Sequence, residues 1–77
     1  MTGKELNMIP LNVAVVGEPQ IIRKIGGSPE VKKHLEDLGF NIGSEVLVVS
    51  TLAGNLIVKV RESRIAVSNE LARRIMV

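Results

Sequence analysis

One histidine and one aspartate are the residues of this sequence best placed for metal chemistry. His34 and Asp37 stand three positions apart in a segment whose pattern predicts a helix, so both side chains could reach one cation. A stable transition-metal site needs three or four ligands. The sequence identifies no others, although Glu30 lies one helical turn away. A histidine on the flank of a helix, with no metal bound, is the simpler interpretation.

The sequence contains no pattern typical of a catalytic centre. It has one histidine and no cysteine, and no motif pairs a nucleophile with a general base. A phosphate-binding loop of the form G-x-x-x-x-G-K-S/T is also absent. Gly26-Gly27-Ser28 could present N–H groups to an anion, but a turn leading into a helix cap explains these residues more simply. We therefore expect a protein that is not an enzyme.

The composition favours one small β-rich domain. Of the 77 residues, 45% are hydrophobic and 23% are charged, which is typical of a globular protein with one core. The apolar residues are almost all Val, Ile, Leu and Ala, and these favour a sheet core of branched side chains. The lack of cysteine and of any apolar run of about 20 residues predicts a soluble, cytoplasmic protein without direct membrane insertion.

The charge balance gives little support to nucleic-acid binding. Ten basic residues against eight acidic ones leave a net charge of +2, and neighbouring basic residues point in different directions in a strand or helix. Surfaces that bind single strands also use aromatic stacking. The single aromatic residue, Phe40, is better explained as a core residue, so nucleic-acid binding is the weaker alternative.

Helix signals surround the segment that contains the histidine. Ser28 can cap a helix that begins at Pro29, and Gly39 can end it in the left-handed conformation with Phe40 packing back on the last turn. Gly43 then turns the chain into a strand. The apolar positions of this helix recur at i, i+4 and i+7: Val31, Leu35 and Leu38.

Strand signals lie on both sides of that helix. Residues 19–25 are predicted to form one early strand, and residues 44–54 and 55–63 a β-hairpin joined at Gly54-Asn55. Residues 64–67 would follow as a third strand of the meander, after a turn at Glu62-Ser63.

A short second helix is predicted to close the chain. It begins near Ser68 or Asn69, which can cap it, and Met76-Val77 then forms a last β-bridge. Leu71, Ala72 and Ile75 are expected to face inward, and Arg73 and Arg74 outward.

In this order of elements, the sequence resembles the FeoA family. The resemblance covers positions 10 to 77 and is centred on "HLEDLGFNIGSEVLVV", residues 34–49. It also includes Gly54 in the hairpin and the closing segment "SRIAVSNELARRIMV", residues 63–77. The remaining matches are Pro10-Leu11, Gly17-Glu18 and Ile25-Gly26-Gly27.

The resemblance implies a fold and a function. The fold would be mainly β, a small SH3-like β-barrel over residues 9–77 with one helix after the early strand, a short C-terminal helix, and a flexible arm at residues 1–8. The function would be that of a non-enzymatic accessory or regulatory protein of ferrous iron transport. Its partner would be the cytoplasmic part of a FeoB-type membrane transporter, with ferrous iron itself as a candidate ligand. The alternative is a metal-responsive or nucleic-acid-binding regulatory module on the same barrel.

The second hairpin strand is the candidate contact face for a protein partner. Ile57 is predicted on its outer side, and the basic residues Lys59, Arg61 and Arg64 could orient an acidic partner. A solvated strand face explains the same residues equally well. Exposed strand edges could also pair two copies into a weak homodimer.

Overall fold

Strands are the commonest regular elements of the structure, a computed structural model that describes residues 8–77. The predicted arm at residues 1–8 therefore lies outside the described residues except for Met8. The strands are β1 (Pro19–Ile21), β2 (Lys24–Ile25), β3 (Glu45–Leu52), β4 (Asn55–Val60), β5 (Ser63–Ser68) and β6 (Ile75–Met76). The helices are α1 (Pro29–Leu38) and α2 (Asn69–Ala72), and a 3₁₀ turn spans Leu11–Val13.

Two antiparallel sheets form an open barrel around one core. The larger sheet has the strand order β1-β3-β4-β5, and the smaller one pairs β2 with β6. Ile9 extends the smaller sheet through two backbone hydrogen bonds with Val77, of 2.9 and 2.8 Å. The mainly β architecture, with one helix after the early strands and a short helix near the C-terminus, confirms the fold predicted from the sequence.

The early strand predicted over residues 19–25 is in fact two strands in different sheets. The Ile22 N–H donates to the Ser44 carbonyl at 2.9 Å, whereas the next N–H, of Arg23, donates to Met76 at 2.8 Å. The backbone thus changes partner from β3 to β6 within one residue. Ile22 itself is fully buried at this corner, so the change of sheet folds the chain around the core.

The core is built from branched aliphatic side chains and one aromatic ring, as the composition predicts. Alternate residues of β4 point inward, and among the described residues no polar or charged residue is buried. The buried residues are Leu11, Ile22, Ile25, Leu35, Phe40, Val46, Val48, Leu56, Val58, Val60, Val67, Ala72, Ile75 and Val77.

Local signals define the start and the end of α1 as predicted. The Ser28 hydroxyl accepts a hydrogen bond from the Val31 N–H at 3.3 Å, which satisfies a free donor at the start. At the other end Gly39 has φ +111°, and the Phe40 N–H donates to the Leu35 carbonyl at 3.0 Å. This pattern is a Schellman motif, and it places Phe40 fully in the core.

The hairpin between β3 and β4 is confirmed, but its turn lies one residue earlier than predicted. Leu52 pairs with Asn55, so the connection is Ala53-Gly54 rather than Gly54-Asn55. Both connecting residues have positive φ, +47° and +86°, as a type I′ turn requires. Gly54 is therefore a turn residue as expected, and alanine occupies the position where asparagine or glycine would be more usual.

The turn between β4 and β5 is likewise one residue earlier than predicted. Val60 pairs with Ser63, so Arg61 and Glu62 form the two-residue connection and β5 begins at Ser63. Arg61 has φ +57°, a conformation in which non-glycine residues are uncommon.

The second helix is confirmed, but it ends at Ala72. The predicted apolar face, which includes Ile75, implies a longer helix. The Ser68 hydroxyl caps it by accepting from the Leu71 N–H at 3.2 Å. Ile75 is buried as expected, but it lies on β6 rather than on the helix. The predicted β-bridge at Met76-Val77 is confirmed, since Met76 pairs with Pro10 and Val77 exchanges backbone hydrogen bonds with Ile9. Ile75–Met76 also pairs with β2, which the sequence does not predict. Within residues 8–77, no helix has the length and apolar character needed to cross a membrane.

Candidate functional site

The predicted partner residues come together on the outer face of the hairpin. Lys59 on β4 lies directly opposite Arg64 on β5, and both are exposed; Arg61 is exposed in the turn that joins these two strands. Ile57 lies two residues before Lys59 on the same face and is half-buried. We call Ile57, Lys59, Arg61 and Arg64 the basic face.

The pairing of Lys59 with Arg64 works against the stability of the sheet. Residues directly opposite on antiparallel strands have Cβ atoms about 5 Å apart, and like charges in such a pair are destabilising. The positive φ of Arg61 adds backbone strain beside them. Neither feature stabilises the fold, so the pairing of these strands does not explain the positive charges of the basic face.

A shallow depression lies beside these cations. Its volume is about 310 Å³. Leu47 pairs with Pro19 on one side and with Lys59 on the other, so apolar surface continues directly into the basic face. Glu45 is the one carboxylate in the lining. The full lining is Pro19, Ser44, Glu45, Leu47, Lys59 and Arg61.

The predicted metal pair gains no further ligand in the described structure. His34 and Asp37 are both exposed on α1. No group of three or more His, Cys, Asp or Glu residues within residues 8–77 is arranged to hold a metal ion, so Glu30 does not complete a site with them. Metal binding at His34 and Asp37 stays a prediction, and with only these two ligands it would be weak.

Phe40, the one aromatic residue that could stack on a nucleic-acid base, points into the core. It is the single aromatic residue of the chain and is fully buried. Its ring is therefore not available for the base stacking that single-strand binding surfaces use.

The structure shows a second basic surface that the sequence does not predict. Lys24, Arg73 and Arg74 line a depression of about 270 Å³ together with Met8, Gly26 and Met76. The β2–β6 pairing brings them together, since Lys24 lies opposite Met76 and the Gly26 N–H donates to the Arg74 carbonyl at 2.7 Å. The sequence predicts a bridge near the C-terminus but does not identify its partner strand. It therefore does not indicate that these basic residues lie close together.

By its fold the protein is a small SH3-like domain. Basic residues line depressions on the surface of residues 8–77. The chain belongs to the FeoA family, because the FeoA domain model matches residues 9–77. This confirms the resemblance seen in the sequence.

Three relatives support this assignment. A protein of Methanocaldococcus jannaschii named as a candidate Fe(2+) transport protein A is 37% identical over 70 residues, 91% of this chain and 85% of the relative. The crystal structure of an iron uptake regulatory protein, FeoA, superposes with a TM-score of 0.83 at 26% identity, covering 90% of this chain and 93% of the other. Stenotrophomonas maltophilia FeoA, crystallised with zinc and described as an SH3 domain protein, gives a TM-score of 0.73 at 22% identity over 84% of each chain.

Proposed function

We propose that this protein is a non-catalytic accessory protein of ferrous iron transport that binds the cytoplasmic domain of a FeoB-type transporter. Membership of the FeoA family and the name of the Methanocaldococcus relative support a role in Fe(2+) transport. The protein would act in the cytoplasm, where that domain of the transporter lies. The observation that carries the proposal is the basic face, where three exposed cations lie together although the Lys59–Arg64 pairing does not stabilise the sheet.

The basic face would recognise an acidic surface. Lys59, Arg61 and Arg64 present three exposed cations, and charges at the rim of an interface raise the association rate and fix orientation. Apolar surface from Leu47 and Pro19 adjoins them, and such surface supplies the desolvated centre that a stable contact needs. Charge would thus select the partner, and the apolar depression would hold it.

Charge reversal on two surfaces tests this proposal. Arg61→Glu with Arg64→Glu should weaken binding to the soluble cytoplasmic domain of the transporter about tenfold or more, equivalent to about 1.4 kcal/mol. Arg73→Glu with Arg74→Glu makes the same change in net charge on the second basic surface, and should change affinity by less than about twofold. Calorimetric titration measures both, and thermal unfolding checks that each variant is folded.

Each result discriminates between surfaces. An unchanged affinity for the first variant would remove the basic face as the contact. A larger loss for the Arg73 and Arg74 variant would move the contact to the second basic surface. Equal losses would show that the partner senses net charge rather than a particular face.

A further inference from the structure

The larger sheet ends in two edge strands that differ in their capacity to accept another strand. β1 has three residues and begins with Pro19, which has no N–H to donate. β5 has six residues, contains no proline and pairs with β4 without a bulge. Short strands and proline protect natural sheet edges from further pairing. β5 lacks both protections.

The backbone groups that β5 offers can be assigned from its register with β4. Val60 and Ser63 close the two-residue turn, and the Asn69 N–H donates to the Gly54 carbonyl at 2.9 Å at the far end. Hydrogen-bonded pairs alternate along an antiparallel ladder. The N–H and carbonyl groups of Arg64 and Ala66 therefore point away from β4. Within residues 8–77, no hydrogen bond joins these groups to another element.

We propose that this edge binds a second copy of the chain through antiparallel pairing of β5 with β5. Ala66 would lie on the two-fold axis, opposite Ala66 of the partner subunit. Arg64 would then lie opposite Ser68 of the partner subunit, and Ile65 opposite Val67 of the partner subunit. This proposal does not depend on the transporter contact.

The sequence of β5 is complementary to itself in this register. The small Ala66 side chain fits the crowded axis, and Arg64 meets a hydroxyl rather than another cation. Ile65 is half-buried and Val67 is buried, so their contact would continue the apolar layer of the core across the axis. A shift of four residues would place Arg64 opposite Arg64 of the partner subunit, which like-charge repulsion disfavours.

The dimer would place both basic faces on the same side of one continuous sheet. The two-fold axis of an antiparallel edge pairing runs perpendicular to the sheet, and Arg64 and Lys59 share the face of Ala66. Only a few residues of each copy take part, and interfaces this small are weak. Association should therefore be visible at protein concentrations of about 1 mM.

A single introduced cysteine tests the register directly, because the chain has none of its own. Ala66→Cys should form a disulfide-linked dimer under mild oxidation, since Cα atoms of a hydrogen-bonded antiparallel pair lie about 5.5 Å apart. Arg64→Cys is the matched control. Its symmetry mate is offset by four residues, or about 14 Å along the strand, beyond the reach of a disulfide. Equal linking of both variants, or linking of neither, would overturn the proposed register.

Amide hydrogen exchange tests the unmodified chain. Raising the concentration towards about 1 mM should slow exchange at Arg64 and Ala66, while Ile65 and Val67, already bonded to β4, stay unchanged. Ala66→Pro should abolish the effect, because it removes an N–H that only the second copy uses. A sedimentation profile that remains monomeric, with unchanged exchange at Arg64 and Ala66, would refute the dimer. Neither test involves the transporter, so failure here leaves the proposed function standing.

Discussion

Arg61 occupies a backbone conformation that suits glycine better. Its φ of +57° falls in the left-handed region, which costs a non-glycine residue about 1 kcal/mol. Strain of this kind persists where the side chain serves a purpose or the surrounding structure imposes it. Arg61 is exposed and makes up one corner of the basic face, so the proposed contact with the transporter supplies a purpose.

Replacing this arginine should separate stability from binding. We expect Arg61→Gly to raise the free energy of unfolding by about 1 kcal/mol and to weaken binding to the transporter domain. Ala53→Gly is the matched control, because Ala53 has φ +47° in the other hairpin turn and lies outside the basic face. Ala53→Gly should raise the free energy of unfolding without changing the affinity for the transporter domain. Urea denaturation and calorimetric titration measure the two quantities, and full affinity in Arg61→Gly would leave the strain without a functional explanation.

At the scale of the element, the end of α1 depends on one glycine. A Cβ built at Gly39 would lie 3.6 Å from Val60 Cγ1, an ordinary contact, so space does not require glycine. Glycine is required by the φ of +111° at this position. Gly39→Ala should therefore lower the free energy of unfolding by about 1 to 2 kcal/mol.

A second glycine provides the comparison for that variant. A Cβ at Gly26 would lie 3.8 Å from the Arg74 carbonyl oxygen, and its φ is outside the positive region. Gly26→Ala should thus leave stability within about 0.5 kcal/mol or raise it slightly. Urea denaturation of both variants checks the pair. Equal destabilisation would mean that the loss of any glycine, rather than the left-handed conformation, controls stability.

Elements with local signals could be predicted from the sequence with their bounds. Ser28, Pro29 and Gly39 specify the start and end of α1 through contacts within a few residues. The two hairpin turns were displaced by one residue because Ala53 and Arg61 take positive φ, which their residue types do not indicate. In both turns the pairing of the strands overrides local preference.

The remaining features depend on contacts between distant segments. The change of sheet after Ile21 follows from hydrogen bonds to β3 and then to β6, and neither partner is evident from residues 19–25 alone. Lys24 and Arg74 meet for the same reason, so the second basic surface could not be predicted. The basic face could be predicted from the sequence, because its residues lie on one hairpin and side chains alternate regularly along a strand.

For the whole molecule, the β5 edge and the basic face are neighbours that use different atoms. The edge would pair through the backbone of Arg64 and Ala66, whereas the partner would contact the side chains of Lys59, Arg61 and Arg64. A dimer would therefore leave the basic face accessible and double its charge along one side of the sheet. Two linked sites bind a partner with two acidic surfaces more tightly than one site does.

The remaining question for the whole molecule is whether iron itself binds this chain. His34 and Asp37 provide two exposed groups on one helix, fewer than the three or four that hold a transition metal firmly. In an anaerobic NMR titration, one equivalent of ferrous ion should therefore leave the signals of both residues unbroadened, and His34→Ala should behave in the same way. Saturable broadening at both residues that His34→Ala abolishes would instead establish a metal site on α1, and the protein would then respond to iron directly.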